Sequence, residues 1–145
     1  MSKGSGGTHG STWRDKSDGT LSKQRVIDKI NSLQPAQNGM FSNAVINPIP
    51  YAGKEIMSKT FLNQDRWYDN KIGTVSIEIS KLETIQPYVQ RGNLIKKLNQ
   101  EISLTKDIPV VEIDGRYILQ DGNHTVSIAK LSGKKKIEVT MYKYK

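Results

Sequence analysis

Two Asp-Gly pairs, Asp114-Gly115 and Asp121-Gly122, interrupt the stretch "IPVVEIDGRYILQDGNHTVSIAKLSGKKKIEV" and constrain the fold more than any other feature of the chain. Asp-Gly tolerates the positive φ that a two-residue hairpin turn demands, so "IPVVEI" and "RYILQ" are predicted to be antiparallel strands joined at 114–115. The second pair closes the return strand and opens "TVSIAKL", whose Val126, Ile128, Ala129 and Leu131 include one apolar helical face. Gly133 ends that helix. "KIEVTMYKY" then alternates Ile137, Val139 and Met141 against Lys136, Glu138 and Thr140, a strand with one buried face.

The same reading extends upstream. "GTVSIEI" alternates Val75, Ile77 and Ile79 against Thr74, Ser76 and Glu78 and is expected to be a strand. "SKLETIQ" reads as a turn carrying Leu82 and Ile85 inward, broken by Pro87. "VQRGNLIKKLNQEI" sets Val89, Leu94, Leu98 and Ile102 near a helical repeat, with Gly92 before the helix and Asn93 as its cap. "LSKQRVIDKINSL" is a helix capped by Thr20 or Ser22, with Leu21, Val26, Ile27, Ile30 and Leu33 near one face and Pro35 and Gly39 beyond its end. Residues 34–54 read as loop, and "KEIMSKTFLNQDRWY" as a short helix using Ile56, Phe61, Leu62, Trp67 and Tyr68. Residues 1–20, rich in Gly, Ser and Thr, bury too little to offset ordering entropy and read as a flexible leader, with Trp13 its odd member. The expectation is an α+β fold. Residues 21–145 form a single domain, with its core in 73–145 and a loop-rich N-terminal extension in 21–72.

Composition removes several functions. There is no cysteine, so disulfides and thiolate metal sites are excluded. The two histidines are His9, in the leader, and His124, too few for a His-based metal site. No apolar run reaches the roughly 18 residues of a membrane span, and no signal peptide opens the chain, so a soluble protein with no membrane partner is expected. The net charge of +8 is spread over both halves, with 12 Lys and Arg against 8 acids from residue 73 onward and 10 against 6 before it. That balance favours a phosphate-bearing partner, nucleic acid or nucleotide, although solubility alone accounts for it too.

The candidate site is "DGNHT". A helix start presents unpaired N–H groups and the positive end of the helix dipole, so the amides of Asn123, His124 and Thr125 after Gly122 suit a bound anion. His124 can donate to phosphate or move a proton near neutral pH, and the Thr125 hydroxyl can donate. Asp121 can orient His124, cap the helix, or hold a divalent cation. The plainer reading is turn chemistry, with Asp121 or Asn123 merely a cap. "GSGGTHGS" lacks the Gly-Lys-Ser/Thr ending and preceding strand of a phosphate loop and is read as linker. The lysines of "GKKKIEV" suit either a nucleic-acid backbone or protection of an edge strand, and Tyr142 and Tyr144 suit either base stacking or cover of a sheet face.

"PVVEIDGRYILQDGNHTVSIAKLSGKKKIEV", with "VSIEISKLETIQPYVQRGNLIKKL" before it, resembles the superfamily shared by the ParB N-terminal domain and sulfiredoxin. The resemblance covers about residues 73–142. It implies a small mixed sheet with flanking helices and a phosphate site at the box. On this resemblance Asp121, Gly122, Asn123, His124 and Thr125 inherit that site, with Gln86, Arg91 and Lys135 as further phosphate-binding candidates and Glu78, Glu83 and Gln86 as polar groups opposite. It implies a metal-assisted nuclease of the toxin type, using Mg or Mn. His124 would be the acid or base, Asp121 the metal ligand or orienter, and Glu78 or Glu83 the second carboxylate. Such a module acts in the cytoplasm, is delivered or secreted on an upstream carrier, and meets a neutralising immunity or antitoxin protein. A nucleotide-dependent kinase or NTPase, like the free-serine kinases, and a non-catalytic nucleotide- or nucleic-acid-binding module are the alternatives. The chain departs from the pattern at Thr125, where most members carry an arginine; the bidentate phosphate contact is then missing, and Lys134, Lys135, Lys136, Arg91 or Arg116 would supply charge in its place with less geometric control. Sulfiredoxin's own chemistry is excluded because its box cysteine is absent.

Overall fold

A computed structural model of the chain describes residues 21–36, 43–99 and 107–145. The leader with His9 and Trp13, the Thr20 cap and Ile102 lie outside the described residues. These form a mixed helix-and-sheet structure with four α-helices, a five-stranded sheet and a two-stranded sheet. Helix α1 is Lys23–Asn31, and Ser22 is its cap, its hydroxyl accepting from Arg25 N at 3.4 Å. Strand β1 (Ala44–Ile46) lies within the segment expected to be loop, and α2 (Lys54–Leu62) is followed by a 3-10 turn at Gln64–Arg66. Strand β2 (Lys71–Glu78) runs into a 3-10 turn at Ile79–Lys81, then β3 (Leu82–Thr84), expected as a turn. Strand β4 (Tyr88–Gln90) takes Val89 out of the expected helix, and α3 (Arg91–Asn99) begins before Gly92 and Asn93, which both sit in its first turn.

The region of the two Asp-Gly pairs folds as its sequence suggests. Strands β5 (Pro109–Ile113) and β6 (Arg116–Leu119) form the hairpin, with Asp114 at φ 53° and Gly115 at φ 75°. Both central residues thus have the positive φ of a turn whose twist matches its strands. Helix α4 (Asn123–Leu131) and strand β7 (Lys136–Lys143) follow. The helix ends with Gly133 N donating to Lys130 O and Lys134 N to Ala129 O, the paired bonds of a Schellman motif.

The sheet order is β2-β7-β5-β6-β3, with β7 parallel to β5, β3 parallel to β6 and the other pairs antiparallel. Strands β1 and β4 pair antiparallel as a separate ribbon. The sheet must curl. Its edges, β2 and β3, lie about 19 Å apart if flat, four strand spacings of ~4.8 Å. The link from Glu78 to Leu82 reaches at most about 14 Å at ~3.6 Å per residue.

Helices α1, α3 and α4 share one core with the sheet. Val26, Ile30, Leu94, Leu98, Val126 and Ile128 meet Ile77, Val110, Leu119, Ile137 and Val139 there. Each such side chain stabilises the fold by about 2 kcal/mol on burial. Val45 and Ile49 join this core, so the segment before residue 73 is part of it. Helix α2 packs separately, with Ala52 and Ile56 against Ile113 and Ile118. No helix among the described residues is long and apolar enough to cross a membrane.

Candidate functional site

Helix α4 starts where two parallel strands end. Thr84 of β3 and Leu119 of β6 are register partners, and Gln120 N donates to Pro109 O at 2.9 Å. The chain turns through Gly122, in the left-handed region at φ 82°, and Val126 N donates to Gly122 O at 3.0 Å as the first helical bond. No side chain caps this helix, because the Asp121 carboxylate accepts only from Gly122 N, at 2.8 Å. The amides of Asn123, His124 and Thr125 therefore have no acceptor among the described residues. Unpaired N–H groups at a helix start, reinforced by the helix dipole, are the arrangement that attracts an anion.

The side chain of Asn123 is not among those free donors. It is buried, and its Oδ1 accepts from Asn47 Nδ2 at 2.9 Å and Thr84 Oγ1 at 2.5 Å. Asn47 Nδ2 also donates to Gln86 O, and Asn47 Oδ1 accepts from Ile49 N and Ser127 Oγ. Gln86 N donates to Thr84 Oγ1 at 3.1 Å. This buried network ties the start of α4 to the end of β3 and to the 47–49 segment, so the helix cannot rotate without breaking several bonds. Asn123 can offer a ligand its backbone amide, while its carboxamide oxygen belongs to the fold.

His124 points towards the two-stranded ribbon, where its Nε2 accepts from Gln90 N at 3.1 Å. That bond places the imidazole proton on Nδ1, since a neutral ring carries one donor and one acceptor. Burial, and then the charge of Lys97 on α3, lower the pKa of His124 below its ordinary value. The ring is thus a neutral donor through Nδ1–H, with its only lone pair already engaged. Arg91 follows Gln90 directly, and its Nε is buried with no hydrogen-bond partner. A buried guanidinium N–H without an acceptor costs about 1–3 kcal/mol or more, and a bound anion would recover it. Thr125 is buried in the first turn of α4.

The remaining sequence candidates are dispersed. Gln86 turns its Nε2 back to Tyr88 O at 2.9 Å. Glu83 faces away from its neighbour Thr84 by strand alternation and is held by Arg116 through two bonds of 2.9 and 2.5 Å. Arg116, partly exposed beside this carboxylate, has its pKa raised mainly by that hydrogen bond. Glu78 pairs across the strands with Lys136, and Lys135 O accepts from Ile79 N. Both Glu78 and Lys135 therefore lie past the far end of α4, roughly 13 Å of helix from its start. Asp121 is the one carboxylate from the sequence candidates at the helix start. Among the described residues there is no group of three or more His, Cys, Asp or Glu placed to hold a metal ion.

Reading the sequence did not find Asn47, Thr84, Gln90 or Lys97. Asn47 and Thr84 sit in segments read as loop and turn, and Gln90 acts through its backbone, which no side-chain pattern reports. The one available signal was "NPIPY", an apolar triplet of Pro48, Ile49 and Pro50 inside a polar loop, which marks a segment that packs. No family model matches the chain, and no curated protein or solved structure matches it either.

Proposed function

We propose that the chain is a ParB/sulfiredoxin-like domain that binds the phosphate of a nucleic acid or nucleotide at the start of α4. The observation that carries this reading is the set of unpaired donors there: three first-turn amides, with the proton of His124 Nδ1 and the partnerless Nε of Arg91 on neighbouring elements. In this reading Arg91, next to Gln90 in the chain and with a partnerless Nε, stands in for the arginine that the box lacks at Thr125. The basic balance of the chain draws the same class of ligand.

The reaction favoured is metal-assisted phosphodiester hydrolysis, as in a toxin module acting in the cytoplasm. A divalent cation fits this site only in a sparse form. Asp121 would contribute a carboxylate oxygen, with phosphate oxygens and water completing the shell, the usual manner for Mg²⁺. Bound there, the ion would supply an activated water and offset phosphate charge. His124, neutral and with its lone pair engaged, serves as a hydrogen-bond donor through Nδ1–H rather than as an acid or a base. Glu78, Glu83 and Lys135 have no part in this version.

Two half-exposed tyrosines favour a second reading, a nucleotide-dependent kinase or NTPase. Tyr51 bridges to Thr84, and Tyr88 lies two residues before Gln90, so each is near enough in the chain to offer a ring to a base. Plasmid nicking and RNA cleavage with Mg²⁺ or Mn²⁺, run beside nucleotide turnover on wild type, His124→Ala and Arg91→Ala, separate the readings. Cleavage lost in both variants supports the nuclease, and diphosphate release supports the kinase. Salt-dependent binding with neither activity leaves a non-catalytic module, and no binding of DNA, RNA or nucleotide overturns the proposal.

A further inference from the structure

The hydrogen bond between Gln90 and His124 holds only while the ring is neutral. Arg91 N donates to Asn43 O and Asn47 N to Pro87 O, so the hydrogen-bonded pairs of the β1–β4 ribbon fall at 43/91 and 47/87. Gln90 stands opposite Ala44, the position next to the first of these pairs. Such a position turns its N–H away from the partner strand. The Gln90 amide therefore points out of the ribbon, and His124 Nε2 accepts from it at 3.1 Å. That bond is exposed, so a solute can reach it. Protonation would turn Nε2 from an acceptor into a donor. Two N–H groups would then face each other with no acceptor between them, and an oxyanion is a ligand that accepts from both.

We propose that the start of α4 is an acid-gated oxyanion site, in which a proton on His124 releases the Gln90 amide and both then donate to one bound anion. This rests on the phosphate reading of the site and adds its regulation. Near neutral pH the ring offers Nδ1–H alone, and Gln90 N is occupied. On acidification the site gains Nε2–H, a free strand amide and a full positive charge. These join the first-turn amides of α4 and the partnerless Nε of Arg91, the residue after Gln90. The titratable groups on the elements about the ring are Lys97 and Arg91 on α3, Tyr88 on β4 and Asp121 in the turn before α4. Of the charged groups described, Lys97 is the one that acts on the ring, and it opposes the proton, as burial does; α1, which also packs on α4, brings no charge to bear on it. A bound anion favours the charged ring instead. Linkage makes the effect mutual: acid tightens the anion, and the anion holds the proton to higher pH.

Sulfate and a thymidine oligonucleotide test this on the full chain at fixed ionic strength, because neither changes charge between pH 8 and pH 5.5. Both should bind about ten-fold tighter at pH 5.5 than at pH 8 in an NMR titration. Saturating sulfate should raise the pKa of His124, read from its ring protons, and leave that of His9, the other histidine of the chain, where it was. His124→Gln, whose carboxamide oxygen can still accept from Gln90 N, should bind sulfate equally at the two pH values and no tighter than wild type at pH 8. Equal affinity of wild type at both pH values, or a His124 pKa that sulfate leaves in place or moves together with that of His9, overturns the gate and leaves the phosphate reading standing. A pH dependence that survives in His124→Gln gives the gate to another group and overturns it as well. No binding of sulfate or oligonucleotide at either pH overturns both the gate and the reading it rests on.

Discussion

The carboxamide oxygen of Asn123 takes two donors from segments 39 and 76 residues away in sequence, while its own backbone N–H has no acceptor among the described residues. Asn47 holds the centre of the network, so Asn47→Ala should cost about 3 kcal/mol, from several lost bonds and the buried partners left unpaired. Urea unfolding measures the loss, and Ser127→Ala, which removes a single donor, should show a smaller one. His124 adds a pH dependence. Its folded pKa lies below the ordinary value of 6.5, so between the two values the unfolded chain binds the proton and the folded chain does not. Stability from this group is therefore full above about pH 6.5 and is lost as pH falls from there through the folded pKa. The melting temperature should drop with acidification across that window, and His124→Gln should flatten that part of the profile.

At the scale of elements, Gly122 is the joint between β6 and α4. A Cβ there would meet Ile108 at 3.5 Å, an ordinary contact, so the cost of Gly122→Ala is the left-handed backbone rather than a clash. A loss of about 1–2 kcal/mol is expected in thermal or urea unfolding. If α4 shifts to relieve it, phosphate affinity should fall further than stability alone explains. Elements with a long pattern were legible from sequence: α1 with its Ser22 cap, the Asp114-Gly115 hairpin, the α4 interior and the alternating β7. Strands β1, β3 and β4 have three residues each, too few for alternation to show, and two of them pair as a ribbon apart from the main sheet. Gly92 was misread as lying before a helix because glycine weakens a helix interior, yet in a first turn that penalty is slight. The site was half legible for the same reason. Gly122, His124 and the open amides are local to one turn, whereas the bonds from Gln90 and Asn47 join segments 34 and 76 residues apart that no periodicity connects.

At the scale of the whole molecule, the excess of positive charge and the donor cluster make different contributions to binding, and salt separates them. Diffuse charge attracts any polyanion and weakens as counterions screen it, whereas a guanidinium that contacts a phosphate releases a counterion at one defined place. If Arg91 contacts phosphate, Arg91→Ala should reduce the slope of log K against log salt for single-stranded DNA by about 0.7. Lys143→Ala, on an exposed strand residue apart from the α4 start, should leave that slope nearly unchanged while lowering affinity slightly at low salt. Fluorescence anisotropy across a salt series measures both. Equal slopes for wild type and Arg91→Ala would mean that the phosphate never reaches Arg91. Binding would then belong to the general field of the protein, and the unpaired Nε of Arg91 would have no ligand to answer it.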